Sequence, residues 1–344
     1  MSKTALAAAL GVTSRTLQSF ESDGAPLRRS EDLSHALGFP VEFFLRPELA
    51  AFDDDQVSFR ARRRATAYQR GAARAAGAIG TEIYEWIAER FRLPAVNVPD
   101  LDRDPPARAA SALRAVWGRG EEPLPNLIQL AEANGVRVMS LPVDAETVDA
   151  FSAWIDDRPF VFLSTAKTAE RSRFDLAHEL GHLVMHSRSR GDGNAEAEAD
   201  AFASAFLMPR DSLAARAGRE PAVPHILRLR SYYRVSAMAV ARSLHDIGRL
   251  SDWAYRQDCV RLTQLGYRSA EPGGIDRELS RVFRIVADAL RADGRGTEQI
   301  GEILGLSAQE LHGFTFGQFV ASVDGGGLRS AASRPSLRLV RGTG

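Results

Sequence analysis

The sequence predicts an α+β protein, mostly α: a helix-turn-helix module, then a mixed domain with a small β-sheet, then a helical C-terminal region. Three observations carry that expectation. The 344 residues are more than one ordinary hydrophobic core holds, and suit two or three domains. Helical apolar spacing dominates and is interrupted by one cluster of short β-rich runs. A helix, glycine turn, helix pattern occurs near each end.

In chain order, residues 1 to about 46 read as short helices punctuated by Gly and Pro. The change of sign from Asp53-Asp54-Asp55 to Arg60-Ala61-Arg62-Arg63-Arg64 marks a linker or domain edge. Ile79, Ile83 and Ile87 recur every fourth residue within a long helix over 65–91. Pro94 to Pro106 forms a boundary, and helices are expected at 107–117 and 124–134. Strands follow at 136–139, 151–155 and 160–163, the last two flanking a hairpin turn over Asp156-Asp157-Arg158-Pro159. Two helices, 169–187 and 194–208, are separated by Gly191-Asp192-Gly193-Asn194. Beyond Pro209 the pattern is helical to about 320, and Gly325 to Gly344 reads as a loose tail. The expected divisions are a helix-turn-helix over 1–50, a linker and long helix over 51–104, a mixed domain over 105–270, a helical bundle over 271–322 and a tail over 323–344.

Composition excludes several classes. Apolar residues at 44% and charged residues at 26% are those of a folded globular chain rather than a disordered one. No apolar run approaches the roughly 18 residues a membrane span needs, and no secretory leader is evident. Cys259 is the single cysteine, so neither an internal disulfide nor a thiolate zinc cluster can form. A reducing cytoplasm is the expected compartment. Basic and acidic residues balance at 44 each, so any contact with nucleic acid has to be local. Lys3 and Lys167 are the only lysines, an arginine bias that points to a GC-rich genome rather than to phosphate binding.

The chemistry concentrates in His178-Glu179-Leu180-Gly181-His182. Two histidines four residues apart on a helix project from one face, so both imidazoles can reach a single metal ion. Glu179 lies about 100° around the axis, better aimed at a water beside the metal than at the metal itself. Leu176, Leu180, Leu183 and Val184 form the opposite face, and Gly181 leaves room for a close neighbour. A catalytic zinc takes three protein ligands and one open position. On the next helix Ala199, Ala203, Phe206 and Leu207 define a buried side, with Glu196 and Asp200 on or beside it and Glu198 turned away. Glu196 is therefore the expected third ligand. Asp200 is placed to accept the free N–H of a ligand histidine, and Glu198 reads as a solvated residue of the helix start. His186, one turn beyond His182, reads as a surface histidine or one supporting the site. His35, His225, His245 and His312 are isolated and get no role.

These residues carry a resemblance. Arg173-Phe174-Asp175-Leu176-Ala177 running into the His178–His182 motif, with Glu196 to Pro209 ending Phe206-Leu207-Met208-Pro209, is similar to the ImmA/IrrE family of zinc metallopeptidases. The segments Asp149–Leu163 and Tyr233–Ser251 fit as well, so the likeness spans roughly 50–270. It implies a gluzincin-like fold with one Zn2+ per chain held by His178, His182 and Glu196, and with Glu179 as the catalytic glutamate. It also implies a protein substrate, a helix-turn-helix repressor whose cutting switches transcription. Arg173, His186, Tyr232 and Tyr233 are candidates for the oxyanion-stabilising group. A second reading makes the chain a DNA-binding regulator whose peptidase-like domain senses a metal, ligand or partner with little or no proteolysis. No membrane partner is expected, and a homodimer is left open.

Leu6 to Glu21 resembles the two central helices of an XRE-type helix-turn-helix, with Thr13 capping the second helix. Ser14, Arg15, Gln18 and Ser19 would then face outward toward DNA, where Arg and Gln suit guanine and adenine edges. A helical hairpin used for protein contacts is the plainer alternative. In that family a helix precedes this pair, whereas Met1 stands at the start of the second helix. Either the true start lies upstream or the module is incomplete, and an incomplete module would leave Leu6, Leu10 and Leu17 underpacked and weaken DNA binding. The pattern from Thr4 to Thr13 returns from Glu298 to Ser307, and Leu17 and Phe20 return as Leu311 and Phe314, at a constant offset of 294 residues. Glu310 and His312 stand where outward residues would be, an acidic face that phosphate repels, so this copy reads as structural or as a partner-binding bundle.

Overall fold

The computed structural model describes residues 1–46, 67–102, 104–142, 150–186 and 194–319. The charge switch at 53–64, the glycine-rich loop at 191–193 and the tail at 325–344 lie outside the described residues. Four short helices come first: α1 (Lys3–Ala9), α2 (Ser14–Asp23), α3 (Ser30–Leu37) and α4 (Val41–Leu45). Ser2 and Thr13 cap the first two, each side-chain oxygen accepting a backbone N–H three residues on. Leu10 and Leu17 are buried and Leu6 is half-buried, so the expected underpacking does not occur. Leu33 of α3 and Phe44 of α4 cover them.

The long helix α5 (Ala67–Ala88) buries Ile79, Ile83 and Ile87 as their spacing predicts. After α6 (Pro106–Val116) and α7 (Leu127–Ala133) come the strands β1 (Arg137–Ser140), β2 (Ala150–Ile155) and β3 (Arg158–Leu163). They form one mixed sheet in the order β1-β3-β2, with β1 parallel and β2 antiparallel to β3. The fold is thus α+β and mostly α. The hairpin turn is tighter than the four residues expected. Asp156 and Asp157 alone make it, both at positive φ (47° and 58°), the type I′ geometry whose twist suits a two-residue hairpin. Pro159 belongs to β3 opposite Trp154 and precedes the first residue that β1 pairs, so its missing N–H costs no bond on that side.

The sheet parts two cores. Phe151, Ala153, Ile155, Phe160 and Phe162 face α5 and the C-terminal helices α14 (Arg281–Ala292), α15 (Thr297–Leu304) and α16 (Ala308–Phe314). Ala150, Val161 and Leu163 face α6, α7, α8 (Ala169–Met185), α9 (Ala195–Leu207) and, beyond them, α10 (Arg210–Ala217), α11 (Val223–Tyr233), α12 (Ala237–Asp246) and α13 (Asp252–Gln264). The repeated C-terminal pattern is built into the first of these cores. Ile300, Leu304, Leu306, Leu311 and Phe314 are buried there, and Ser140 Oγ binds both Gly313 O and Phe316 N at 2.6 Å. Arg46 ties α4 to the same region, pairing with Glu82 and donating to Leu304 O.

Residues 271–280 run between α13 and α14 over buried ion pairs. Arg230 joins Glu271 (2.8 Å) and Glu170 (3.4 Å), and Arg173 pairs with Glu278. Glu132 of α7 caps α14, accepting from Ser280 Oγ, from Arg281 N at 2.8 Å and from Val282 N at 3.3 Å. Burial pushes the Glu132 carboxyl up to about 7 despite those bonds. A folded-state pKa raised above the unfolded one contributes stability below pH about 4.5 that is lost as the pH rises through 7, roughly 3 kcal/mol at most. Glu132→Gln keeps the acceptor for the two backbone donors and cannot ionise. Urea unfolding between pH 4.5 and 8 is expected to show a flatter stability profile for this variant than for the parent. Parallel profiles would contradict the assignment.

Candidate metal centre

Helices α8 and α9 build the site. Thr168 caps α8, and Gly181 in its middle meets the ring of Phe202 on α9, where an added Cβ would stand 3.0 Å from the nearest ring carbon. That close approach sets one turn of α8, carrying His178 and His182, against the first turns of α9. Both rings turn their Nε2 atoms inward, 3.0 Å apart. Glu196 places Oε1 3.3 Å from His182 Nε2 and Oε2 3.8 Å from His178 Nε2. Among the described residues these three form a group able to hold a metal ion, with all ligand atoms within 4.8 Å of one another.

The donor set fits a divalent ion. Ligand atoms at the usual 2.0–2.2 Å from a tetrahedral zinc stand about 3.3 Å apart, close to the spacings found here. Three carboxylates, Glu179, Glu196 and Asp200, also act on His178. Burial alone would lower the pKa of His178, but the Asp200 hydrogen bond and these charges outweigh it and raise it above the ordinary imidazole value. A bound cation would offset the same excess of negative charge.

Asp200, the expected partner of a ligand histidine, lies 2.8 Å from His178 Nδ1. Glu196 and Asp200 stand beside the buried stripe of α9, at its rim: their side chains are 42% and 63% exposed and turned to the histidines. A cleft of about 580 Å³ opens along α8, α9 and α12 on the Asp200 side, with Lys167, Arg171 and Arg242 also in its wall.

Four contacts were not evident in the sequence. Ser152 of β2, fully buried, donates to Glu179 Oε2 at 2.7 Å. Trp154, two residues on, donates from Nε1 to Leu183 O at 3.0 Å, so β2 is tied twice to α8. A further contact gives Glu198, 38% exposed in the first turn of α9, a partner. Its Oε2 lies 3.0 Å from His186 Nε2, and His186 Nδ1 lies 3.0 Å from His182 Nδ1. Burial draws the His186 pKa down against the pull of the Glu198 hydrogen bond.

Residues 131–245 match the family model of the IrrE N-terminal-like domain, which is what this part of the chain is similar to. The match to this peptidase family begins in α7 and ends in the last turn of α12, so it takes in the whole sheet, both site helices and the His-His-Glu cluster. No curated protein matches the chain. No described helix is long and apolar enough to cross a membrane.

Three candidates for the oxyanion-stabilising group have other partners in this structure. The Arg173 side chain is fully buried, paired with Glu278 and donating to Leu124 O and Pro125 O. Tyr232 donates to Glu122, and Tyr233 bonds Ser212. Among the described residues, Ser14, Arg15, Gln18 and Ser19 are all exposed on α2 and form no part of this site; Ser19 bonds Asp23.

The contact at Gly181 generates a test of how the IrrE-like site is assembled. Gly181→Val would drive its branched side chain into Phe202 and part α8 from α9, at a cost of about 1–3 kcal/mol. Zinc affinity, measured by competition with a chelating dye, is expected to fall as Glu196 withdraws from the histidines. Unchanged affinity would mean that the two helices are positioned by other contacts.

Proposed function

We propose that this chain is a zinc-dependent endopeptidase that cuts a helix-turn-helix repressor and is coupled to DNA through its own N-terminal module. The observation that carries the reading is a three-donor cluster with a further carboxylate, Glu179, on the same turn of α8 as the histidines, inside an IrrE-like peptidase domain. His178, His182 and Glu196 would hold Zn2+. Bound there, the ion would supply Lewis-acid chemistry, polarising a scissile carbonyl and lowering the pKa of a water. Glu179 accepts the proton of the attacking water and passes it to the leaving amide nitrogen. Ser152 fixes the orientation of that carboxylate through its O–H, and Asp200 holds the His178 ring through Nδ1. The strand β2, last in the sheet order, lies beside α8 and could align an extended peptide by backbone pairing. A single cysteine suits a reducing compartment, where such a repressor would be met.

A Glu179→Gln variant tests the chemistry. It is expected to retain zinc, measured as metal content per chain, and to lose cleavage of a co-expressed repressor by about 10²–10⁴-fold. Should the parent chain bind zinc yet leave every candidate repressor intact, the second reading stands: a regulator whose peptidase-like domain senses without turnover.

The DNA-binding part rests on the exposed face of α2. A mobility-shift titration is expected to show Arg15→Ala with Gln18→Ala weakening binding by about 1–3 kcal/mol for each base edge that the shortened side chain no longer reaches. Equal shifts for parent and double variant would remove these residues from the interface.

A further inference from the structure

We propose that the cleft walled by α8, α9 and α12 binds a small aromatic carboxylate at a place distinct from the metal point. Its volume of about 580 Å³ lies within the roughly 300–1,000 Å³ of sites that hold small molecules. None of His178, Glu179, His182 or Glu196 lines it. The cleft meets the metal centre through Asp200, which holds His178 at Nδ1, the ring nitrogen turned away from the shared Nε2 point.

Charge in the wall decides what the cleft would take. Three carboxylates stand there, and each has a basic partner. Asp175 lies 2.7 Å from Lys167, Asp246 2.9 Å from Arg242, and Asp200 2.8 Å from the His178 ring. The other cation of the wall, Arg171, is exposed and donates to Arg268 O at 2.7 Å, and a carbonyl carries no countercharge. A guanidinium has five N–H donors, and the two oxygens of a carboxylate match its fork. A monoanion suits the place better than a phosphate, whose second charge would meet the three neighbouring carboxylates.

The rest of the wall sets the body of the ligand. Phe174 stands three residues beyond Arg171 on the same face of α8, and Ala197, Ala201 and Ala239 offer apolar surface with short side chains. Ser204 Oγ and Ser243 Oγ, 2.7 Å apart, join α9 to α12 and fix the width between them. An aromatic ring laid against Phe174 gains ring contact as well as burial, while its carboxylate reaches Arg171.

Calorimetric titration of the full, metal-free chain with cinnamate tests this. One molecule per chain is expected to bind, with the neutral analogue cinnamyl alcohol and inorganic phosphate each weaker by about 10-fold or more. Arg171→Gln is expected to weaken cinnamate about 10-fold and to leave the alcohol unchanged. Ala201→Phe, at an exposed helix position, is expected to weaken both by filling the cleft. No cinnamate binding at millimolar concentration, or equal affinity for acid and alcohol, overturns the proposal. So does an Arg171→Gln variant that binds cinnamate as the parent does; if that variant also raises KM for repressor cleavage, the cleft belongs to the substrate path. The titration needs neither zinc nor turnover. A chain that binds cinnamate but takes up no zinc would refute the metallopeptidase reading and leave this site in place.

Discussion

The contact between Gly181 and Phe202 is the constraint on which the site depends. A glycine in mid-helix weakens the helix by about 1 kcal/mol relative to alanine. Here it lets two helices approach until ligands from both reach a common point, and the gap is filled by an aromatic ring. Each helix uses the same four-residue step. His178 and His182 share one face of α8, as Glu196 and Asp200 share one face of α9, and the two pairs interlock. Separating the helices by the thickness of one methyl group would leave all four residues in place on their own elements and dissolve the cluster.

Much of this was readable from periodicity. The four-residue spacing of Ile79, Ile83 and Ile87 placed a buried face on a long helix, and the β-rich runs fell within two residues of the strands. The His178–His182 motif and the stripe on the following helix pointed to Glu196 and Asp200 because helical geometry is local. What sequence did not reveal is what depends on neighbours distant in the chain. Ser152 reaches Glu179 because the sheet lies across α8. A helical wheel describes one helix alone and does not show that Glu198 has a partner in His186, at the end of the preceding helix. Arg173 resembled a site residue by its nearness in sequence to His178, yet its place five residues earlier makes it leave the helix on another side, where Glu278 receives it.

The underpacking expected for Leu10 and Leu17 assumed that the first helix of a familiar module was required to close the core. Leu33 and Phe44 cover the same surface from the other end of the chain's first 46 residues. The repeated pattern at 298–314 shows how little local likeness fixes environment. The same spacing of Leu, Gly and Phe that makes a small separate cluster in α1 and α2 is, in α15 and α16, part of a core shared with β-strands. Its buried face is the same; the surroundings are not.

The two-residue turn at Asp156 and Asp157 has a consequence well away from the loop itself. Along β2, successive side chains alternate between an aromatic interior and the carboxylate of Glu179. Displacing the hairpin by one residue would deliver the ring of Phe151 to that carboxylate and bury the hydroxyl of Ser152 among phenylalanines, an error on both faces at once. A pair of aspartates held at left-handed angles at the tip of a hairpin therefore keeps count for the chemistry, and the polarity of the site is protected by arithmetic rather than by any barrier around it.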